Sequence, residues 1–162
     1  MARSVFFSFH YDRDLWRANV VRKSWVTQGR EAAGFWDASL WEKAKKEGDD
    51  AVKAMIDQGM KGTSATAVLI GAETSGTKWV RYEISQSHKQ GKGLLAAYIH
   101  KIKDSNGNTD EKGNNWFGEI DRDAGGNPVH FWRLYPTYDY IDDDGYENFG
   151  AWVEKGAKTA GK

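Results

Sequence analysis

The sequence contains no cysteine among its 162 residues, and its four histidines are scattered along the chain. Without thiols, the protein can form neither disulfide bonds nor thiolate metal sites. The histidines also lack the spacing of a metal-binding motif such as HExxH. A chain of this length can bury a sizeable core without such crosslinks. We therefore expect an ordinary globular fold and no catalytic metal.

The chain also has no net charge, because 23 lysine and arginine residues balance 23 aspartate and glutamate residues. A chain without bulk charge is not expected to bind nucleic acid or a membrane surface. No run approaches the roughly 20 apolar residues of a membrane span. The first residues lack the apolar stretch of a signal peptide. We expect a cytoplasmic protein.

Several common catalytic motifs are missing. The sequence has no GxGxxG, GxxxxGK[ST] or GxSxG pattern, so no dinucleotide fingerprint, P-loop or nucleophile elbow is indicated. A response-regulator receiver would need an aspartate at the end of its third strand, where this chain has Gly71 and Ala72. The receiver interpretation therefore fails at its phosphorylation site.

The sequence does have a regular alternation of apolar, strand-like runs and segments of helical periodicity. We predict strands at 5–9, 33–37, 64–71, 94–99 and 129–132. Helical patterns lie between them, the first at 14–28, and a closing helix is expected at 143–155. This order predicts an α/β fold of flavodoxin-like topology, with a central, mostly parallel sheet and helices on both faces. We expect one domain over residues 1–162, with a long loop or insertion at 103–128.

Ligands of such sheets bind beyond the carboxyl ends of the strands. Residues 8–12, 37–41 and 71–77 follow predicted strands and are candidates for a site. On the helix predicted at 78–90, Trp79 and Glu83 stand four residues apart and share a face. An acid beside a large aromatic ring can be desolvated, which raises its pKa. A helix glutamate is nevertheless more often a solvated surface residue.

Four blocks of sequence stand out in order along the chain: Val5–Tyr11 (VFFSFHY), Asn19–Arg22 (NVVR), Asp37–Glu42 (DASLWE) and Trp79–Ile84 (WVRYEI). The last block is similar to the Trp-Cys-x-x-Glu signature of TIR domains. Together the four blocks resemble the TIR-like proteins of bacterial Thoeris anti-phage defence, and the match covers most of residues 3–101. Adaptor TIR domains carry an Arg-Asp-x-x-Pro-Gly loop after the second strand, but no proline precedes Pro128 here. Adaptor signalling through that loop is therefore not expected.

The resemblance implies a TIR fold that cleaves the nicotinamide–ribose bond of NAD⁺, as a substrate and without a cofactor. Glu83 would be the catalytic carboxylate that holds the ribose hydroxyls and stabilises an oxocarbenium-like centre. Tyr11 and Trp41 would offer stacking surfaces, and Asp37 would hold a ribose hydroxyl or orient its loop. The substrate-binding candidates are Ser8, Phe9, His10, Tyr11, Asp37, Trp41 and Trp79.

Four of these candidates also have a plainer interpretation. His10 could be a hydrogen-bonded loop residue, and Trp41 could be a core residue. Asp37 could be only a helix cap, and Ser8 could be a small residue at a strand end. The sequence leaves these alternatives open.

The resemblance further implies that the product is a cyclic ADP-ribose isomer, a diffusible messenger for a separate effector protein. A phage-derived trigger and assembly into homo-oligomers are compatible with it. Two other functions stay open. A catalytically silent TIR-like module for a nucleotide or a protein partner would tolerate Glu83→Gln. An enzyme like the nucleoside deoxyribosyltransferases, which use a glutamate on N-glycosides, would prefer deoxynucleosides to NAD⁺.

Overall fold

The computed structural model describes residues 4–26 and 31–162, and its core is a parallel β-sheet. The strands in this part of the chain are β1 (Ser4–Ser8), β2 (Glu31–Ala33), β3 (Ala65–Ile70), β4 (Gly93–Tyr98), β5 (Glu119–Arg122), β6 (Pro128–His130) and β7 (Thr137–Asp139). Five of them form one sheet in the order β2-β1-β3-β4-β7, and every neighbouring pair is parallel. The predicted flavodoxin-like α/β fold is confirmed.

Helices cover both faces of this sheet. They are α1 (Tyr11–Val26), α2 (Ala38–Glu47), α3 (Asp49–Met60), α4 (Lys78–Lys89), α5 (Phe131–Leu134) and α6 (Gly145–Thr159), with a 3₁₀ turn at Thr74–Gly76. Leu95 of β4 packs in the apolar cluster of α6, whereas Leu94 packs in the cluster of α4. Because successive side chains of a strand point to opposite faces, α4 and α6 lie on opposite sides of the sheet. No helix within the described residues is long and apolar enough to cross a membrane.

The second strand is displaced from its predicted position at 33–37. It spans Glu31–Ala33 and is followed by Gly34, whose φ is +94°. A Cβ on Gly34 would lie 2.3 Å from the carbonyl oxygen of Phe7, so a side chain does not fit there. The chain therefore leaves the sheet at this glycine. Asp37 then caps α2 by accepting a hydrogen bond of 2.8 Å from the backbone N–H of Ser39.

The first helix begins earlier than predicted. It starts at Tyr11 instead of residue 14, because the carbonyl of His10 already accepts bonds from the N–H groups of Arg13 and Asp14. Acidic side chains in its first turn suit the positive end of the helix dipole. The predicted end near Gln28 lies outside the described residues.

The last predicted strand, at 129–132, is wrong in its extent and its place. Only the segment up to His130 is extended, and it pairs antiparallel with β5 in a separate hairpin. The chain then turns into α5 at the fully buried Phe131. The fifth strand of the main sheet is β7, whose three residues are only partly buried. An edge strand this short lacks the apolar run by which the other strands were predicted.

The segment predicted as a long loop, 103–128, contains β5, ends at the first residue of β6, and otherwise has neither helix nor strand. Part of it is tied to α1. Asp110 pairs with Arg13 at 2.6 Å, and Arg17 donates to the carbonyl of Asn108 at 3.0 Å. The expected closing helix is present as α6 and continues to Thr159.

Candidate active site

A cleft of about 140 Å³ opens at the carboxyl ends of the strands. It lies between the residues that follow β1, the turn after β2, and the helices α2 and α4. This is the edge at which parallel α/β sheets bind their ligands. The residues that line it are Phe7, Phe9, His10, Tyr11, Asp12, Gly34, Trp36, Trp41, Lys45, Thr77, Trp79 and Glu83.

Glu83 is the acid that this fold buries in the wall of the cleft. It lies on the stripe of α4 that packs on the sheet, between the buried residues Val80 and Ser87. The Glu83 side chain is 4% exposed and accepts a hydrogen bond of 2.7 Å from the hydroxyl of Ser8. Burial raises the pKa of Glu83 to about 8, and the bond from Ser8 opposes this rise. At neutral pH this carboxyl group is therefore mostly protonated.

Ser8 acts behind Glu83 rather than in the cleft itself. It is the last residue of β1 and is completely buried. Its Oγ donates to Oε1 of Glu83, so the strand end fixes the orientation of the carboxyl group. Ser8 is not among the residues that line the cleft, although it contacts the predicted catalytic acid, and its role in substrate binding stays a prediction.

An aromatic cluster forms the wall of the cleft near α2. Trp36 and Trp41 stack with their ring centroids 5.4 Å apart, and Tyr11 packs on Trp41 at 5.0 Å. The Tyr11 hydroxyl donates a hydrogen bond to the carbonyl of Trp36. Trp41 is only 4% exposed, so it belongs to the core, and it also borders the cleft. Any stacking by Trp41 on a ligand is confined to the small exposed part of its ring.

His10 and Asp14 stand one helical turn apart at the start of α1. His10 lines the cleft, and its buried Nδ1 has no hydrogen-bond partner among the described residues. Asp14 is buried against Gly71, where a Cβ would lie 2.1 Å from Oδ2 of the acid. Burial raises the pKa of Asp14, and the neighbouring Arg13 partly opposes the rise. The cleft thus has a second desolvated acid behind it, but one that does not line it.

The sequence analysis missed Lys45 at the edge of the cleft and named Asp12 only within the candidate range 8–12. Lys45 pairs with Glu42 at 2.9 Å and with Asp12 at 3.3 Å. Both Lys45 and Asp12 line the cleft. Lys45 stands four residues after Trp41 on α2, and this helical spacing was a signal that could have placed it beside the predicted tryptophan.

The structure brings most of the predicted site residues together. Six of them line the cleft: Phe9, His10, Tyr11, Trp41, Trp79 and Glu83. Asp37 does not line it, since its exposed side chain caps α2. The individual binding roles of these residues stay predictions.

The arrangement suits a ligand with a flat, cationic part. Aromatic rings attract cations over their faces, and one desolvated carboxyl group can stabilise positive charge once it ionises. A parallel sheet with such an acid on the helix after β3 defines an α/β domain of the TIR type.

Comparison with known proteins identifies the family. The sequence model described as "Thoeris protein ThsB, TIR-like domain" matches residues 6–104. A protein of Bacillus cereus (strain MSX-D12), named "Putative cyclic ADP-D-ribose synthase ThsB1", is 37% identical over 191 aligned positions, which cover 94% of this chain and all of that protein. The chain belongs to the ThsB family of TIR-like Thoeris proteins.

Proposed function

We propose that this protein cleaves NAD⁺, releases nicotinamide and forms a cyclic ADP-ribose isomer as a messenger in anti-phage defence. The observation that carries the proposal is Glu83, a buried carboxyl group held by Ser8 in the wall of a cleft rich in aromatic side chains. The name of the Bacillus cereus relative, "Putative cyclic ADP-D-ribose synthase ThsB1", supports the same reaction.

The chemistry needs little from the protein beyond this acid. The C–N bond between ribose and nicotinamide breaks, and its electron pair stays on the departing nicotinamide, which leaves neutral and requires no general acid. The ribose carbon becomes oxocarbenium-like, and an ionised Glu83 stabilises that charge. The pKa of about 8 is that of Glu83 in the protein alone. A cationic nicotinamide ring beside the carboxyl group favours its ionised form, so substrate binding expels the proton.

Exclusion of water decides whether the product is linear ADP-ribose or a cyclic isomer. If water attacks the ribose carbon, the product is linear ADP-ribose. If a nucleophilic group of the same molecule attacks and loses its proton, the product is cyclic. The small volume of the cleft and its apolar wall of Phe7, Phe9 and Trp36 favour the second outcome, because they leave little room for water beside the reacting carbon.

The biological part of the proposal follows from the family. A cyclic product acts as a diffusible messenger on a separate effector protein, and a phage-derived trigger raises the activity. Assembly into homo-oligomers and a cytoplasmic location belong to the same proposal. The match to the Thoeris family model supports the link to anti-phage defence.

Product analysis tests the reaction. Purified protein is incubated with NAD⁺, alone and in lysate of phage-infected cells, and the products are resolved by chromatography and mass spectrometry. We expect nicotinamide and a species with the mass of cyclic ADP-ribose, both lost in Glu83→Gln. The matched control Glu147→Gln changes an exposed glutamate on α6 and keeps full turnover.

Three outcomes contradict the proposal in different ways. Linear ADP-ribose alone removes the messenger but keeps NAD⁺ cleavage. Faster cleavage of deoxynucleosides than of NAD⁺ favours a deoxyribosyltransferase-like enzyme. No turnover under either condition, with Glu83→Gln as functional in defence as the unchanged protein, favours a silent binding module.

A further inference from the structure

A second and larger cavity lies at the opposite edge of the sheet from the candidate active site. It measures about 470 Å³, within the roughly 300–1,000 Å³ typical of small-molecule pockets. Its walls are the amino end of β4, the residues that lead into β7, and the carboxyl ends of α4 and α6. Neither the family match nor the proposed reaction gives it a role.

The cavity exists because β7 is shorter than β4. The two strands pair only from Ala96 opposite Thr137 to Tyr98 opposite Asp139. On this side, the first half of β4 has no strand partner among the described residues. The N–H of Ala96 donates to the carbonyl of Pro136 on the β7 side. Backbone groups two residues apart on a strand point to the same side, so the N–H and C=O of Leu94, which lines the cavity, point toward it.

Helix α6 leaves space beside this strand edge because it carries a glycine there. A Cβ on Gly156 would lie 3.7 Å from the carbonyl oxygen of Leu94 and 4.0 Å from its nitrogen. These are ordinary contacts, so a methyl group fits without a clash. It would, however, occupy the space next to the Leu94 peptide group.

The charge of the lining is positive. Lys155 is exposed at the cavity, and the ammonium of Lys92 is buried behind it, held by the carbonyls of Met60 and Thr63 at 2.8 and 2.6 Å. None of the described residues that line the cavity is an aspartate or a glutamate. The remaining wall is largely apolar and includes Leu134, an exposed hydrophobic residue.

We propose that this cavity binds an N-acylated amino acid, either free or as the carboxyl terminus of a peptide. The ligand's amide pairs with the N–H and C=O of Leu94, as an added strand pairs with an open sheet edge. Its carboxylate lies near Lys155, and its apolar part packs against Leu134. The proposal is independent of the reaction in the other cleft.

Calorimetric titration with N-benzoylglycine tests the proposal. We expect saturable binding of one molecule per chain. The neutral N-benzoylglycinamide, which lacks the carboxylate, and benzoate, which lacks the amide group, should each bind at least fivefold more weakly. Acetyl-Gly-Gly-Phe distinguishes the two sources of the ligand: a peptide site binds it more tightly than N-benzoylglycine, and a site for free acylated amino acids binds it more weakly.

Gly156→Ala is the decisive variant. We expect it to weaken binding of N-benzoylglycine at least tenfold while the melting temperature stays equal or rises, because alanine favours a helix over glycine. Lys155→Gln should weaken binding about fivefold. Its matched control Lys158→Gln, on the same helix but outside the lining, should leave binding unchanged. Unsaturable titration, unchanged binding by Gly156→Ala, or equal losses in the two lysine variants would overturn the proposal.

Discussion

Replacing Glu83 by glutamine should remove a pH-dependent loss in the free energy of unfolding. Burial raises the pKa of Glu83 from 4.5 to about 8 in the folded protein. Between these two values the folded state keeps a proton that the unfolded chain has released. The free energy of unfolding therefore falls as the pH rises through this window, and the loss is complete above pH 8. Glutamine has nearly the same shape and cannot ionise, so the variant lacks this loss.

The size of the effect follows from the shift in pKa. Each pH unit within the window costs about 1.4 kcal/mol. Between pH 6 and pH 8 the unchanged protein should thus lose roughly 2 kcal/mol relative to Glu83→Gln, because the slope flattens near the pKa of the folded state. Urea unfolding followed by tryptophan fluorescence, at a series of pH values from 6 to 9, measures the free energy of unfolding of both proteins. Their difference isolates Glu83, because all other titrating groups are common to both.

The result that refutes this reasoning is a constant difference between the two proteins across the pH series. It would mean that Glu83 titrates near its ordinary pKa and that the fold does not desolvate it. Glu147→Gln serves as the control, since an exposed glutamate should give a curve parallel to that of the unchanged protein.

Three further predictions concern Ser8 and Asp37 near the cleft and Lys92 beside the second cavity. Ser8→Ala should raise the pKa of Glu83 by a further one to two units, roughly, because the ionised form loses a hydrogen bond; an unchanged ¹³C titration of the Glu83 carboxyl would contradict the contact. Asp37→Ala should lower the melting temperature, because α2 loses its cap, and should leave NAD⁺ turnover intact. Lost turnover at full stability would instead place Asp37 on the substrate. Lys92→Met should lower the free energy of unfolding in urea by about 2–3 kcal/mol, because buried carbonyls lose their donor. A decrease below about 1 kcal/mol would show that water replaces the ammonium.

The regular core of the fold could be predicted from the sequence, and its edges could not. All six residues of β3 are buried, so their apolar run and its flanking turns were a strong signal. The edge strand β7 has three partly buried residues, and its place is set by pairing with β4 rather than by its own composition. The displaced β2 depends on the close approach of Gly34 to Phe7, which connects residues far apart in the chain.

The candidate site could likewise be predicted only in part. Residues that follow strands, such as Phe9 and His10, reach the cleft because parallel strands end at a common edge. The burial of Glu83 could not be predicted, since a helix glutamate faces solvent or sheet according to packing alone. Its contact with Ser8 joins residues 75 positions apart. Lys45 was missed although its spacing from Trp41 was a signal, and its contact with Asp12 of α1 could not be predicted because it joins two different helices.

The position of β4 has a consequence for how the chain folds during synthesis. Half of one edge of this strand is covered by β7, and α6 crosses it so closely that a Cβ on Gly93 would lie 2.6 Å from the carbonyl carbon of Gly156. Both covering elements come from the last quarter of the sequence. A growing chain therefore carries an aliphatic strand that lacks its β7 partner and its α6 cover until the ribosome has released both elements. Such non-local pairing slows folding, and exposed strand edges promote aggregation. We therefore expect chaperones to bind, and aggregation to reduce expression, mainly at the stage when the nascent chain contains β4 but not yet α6.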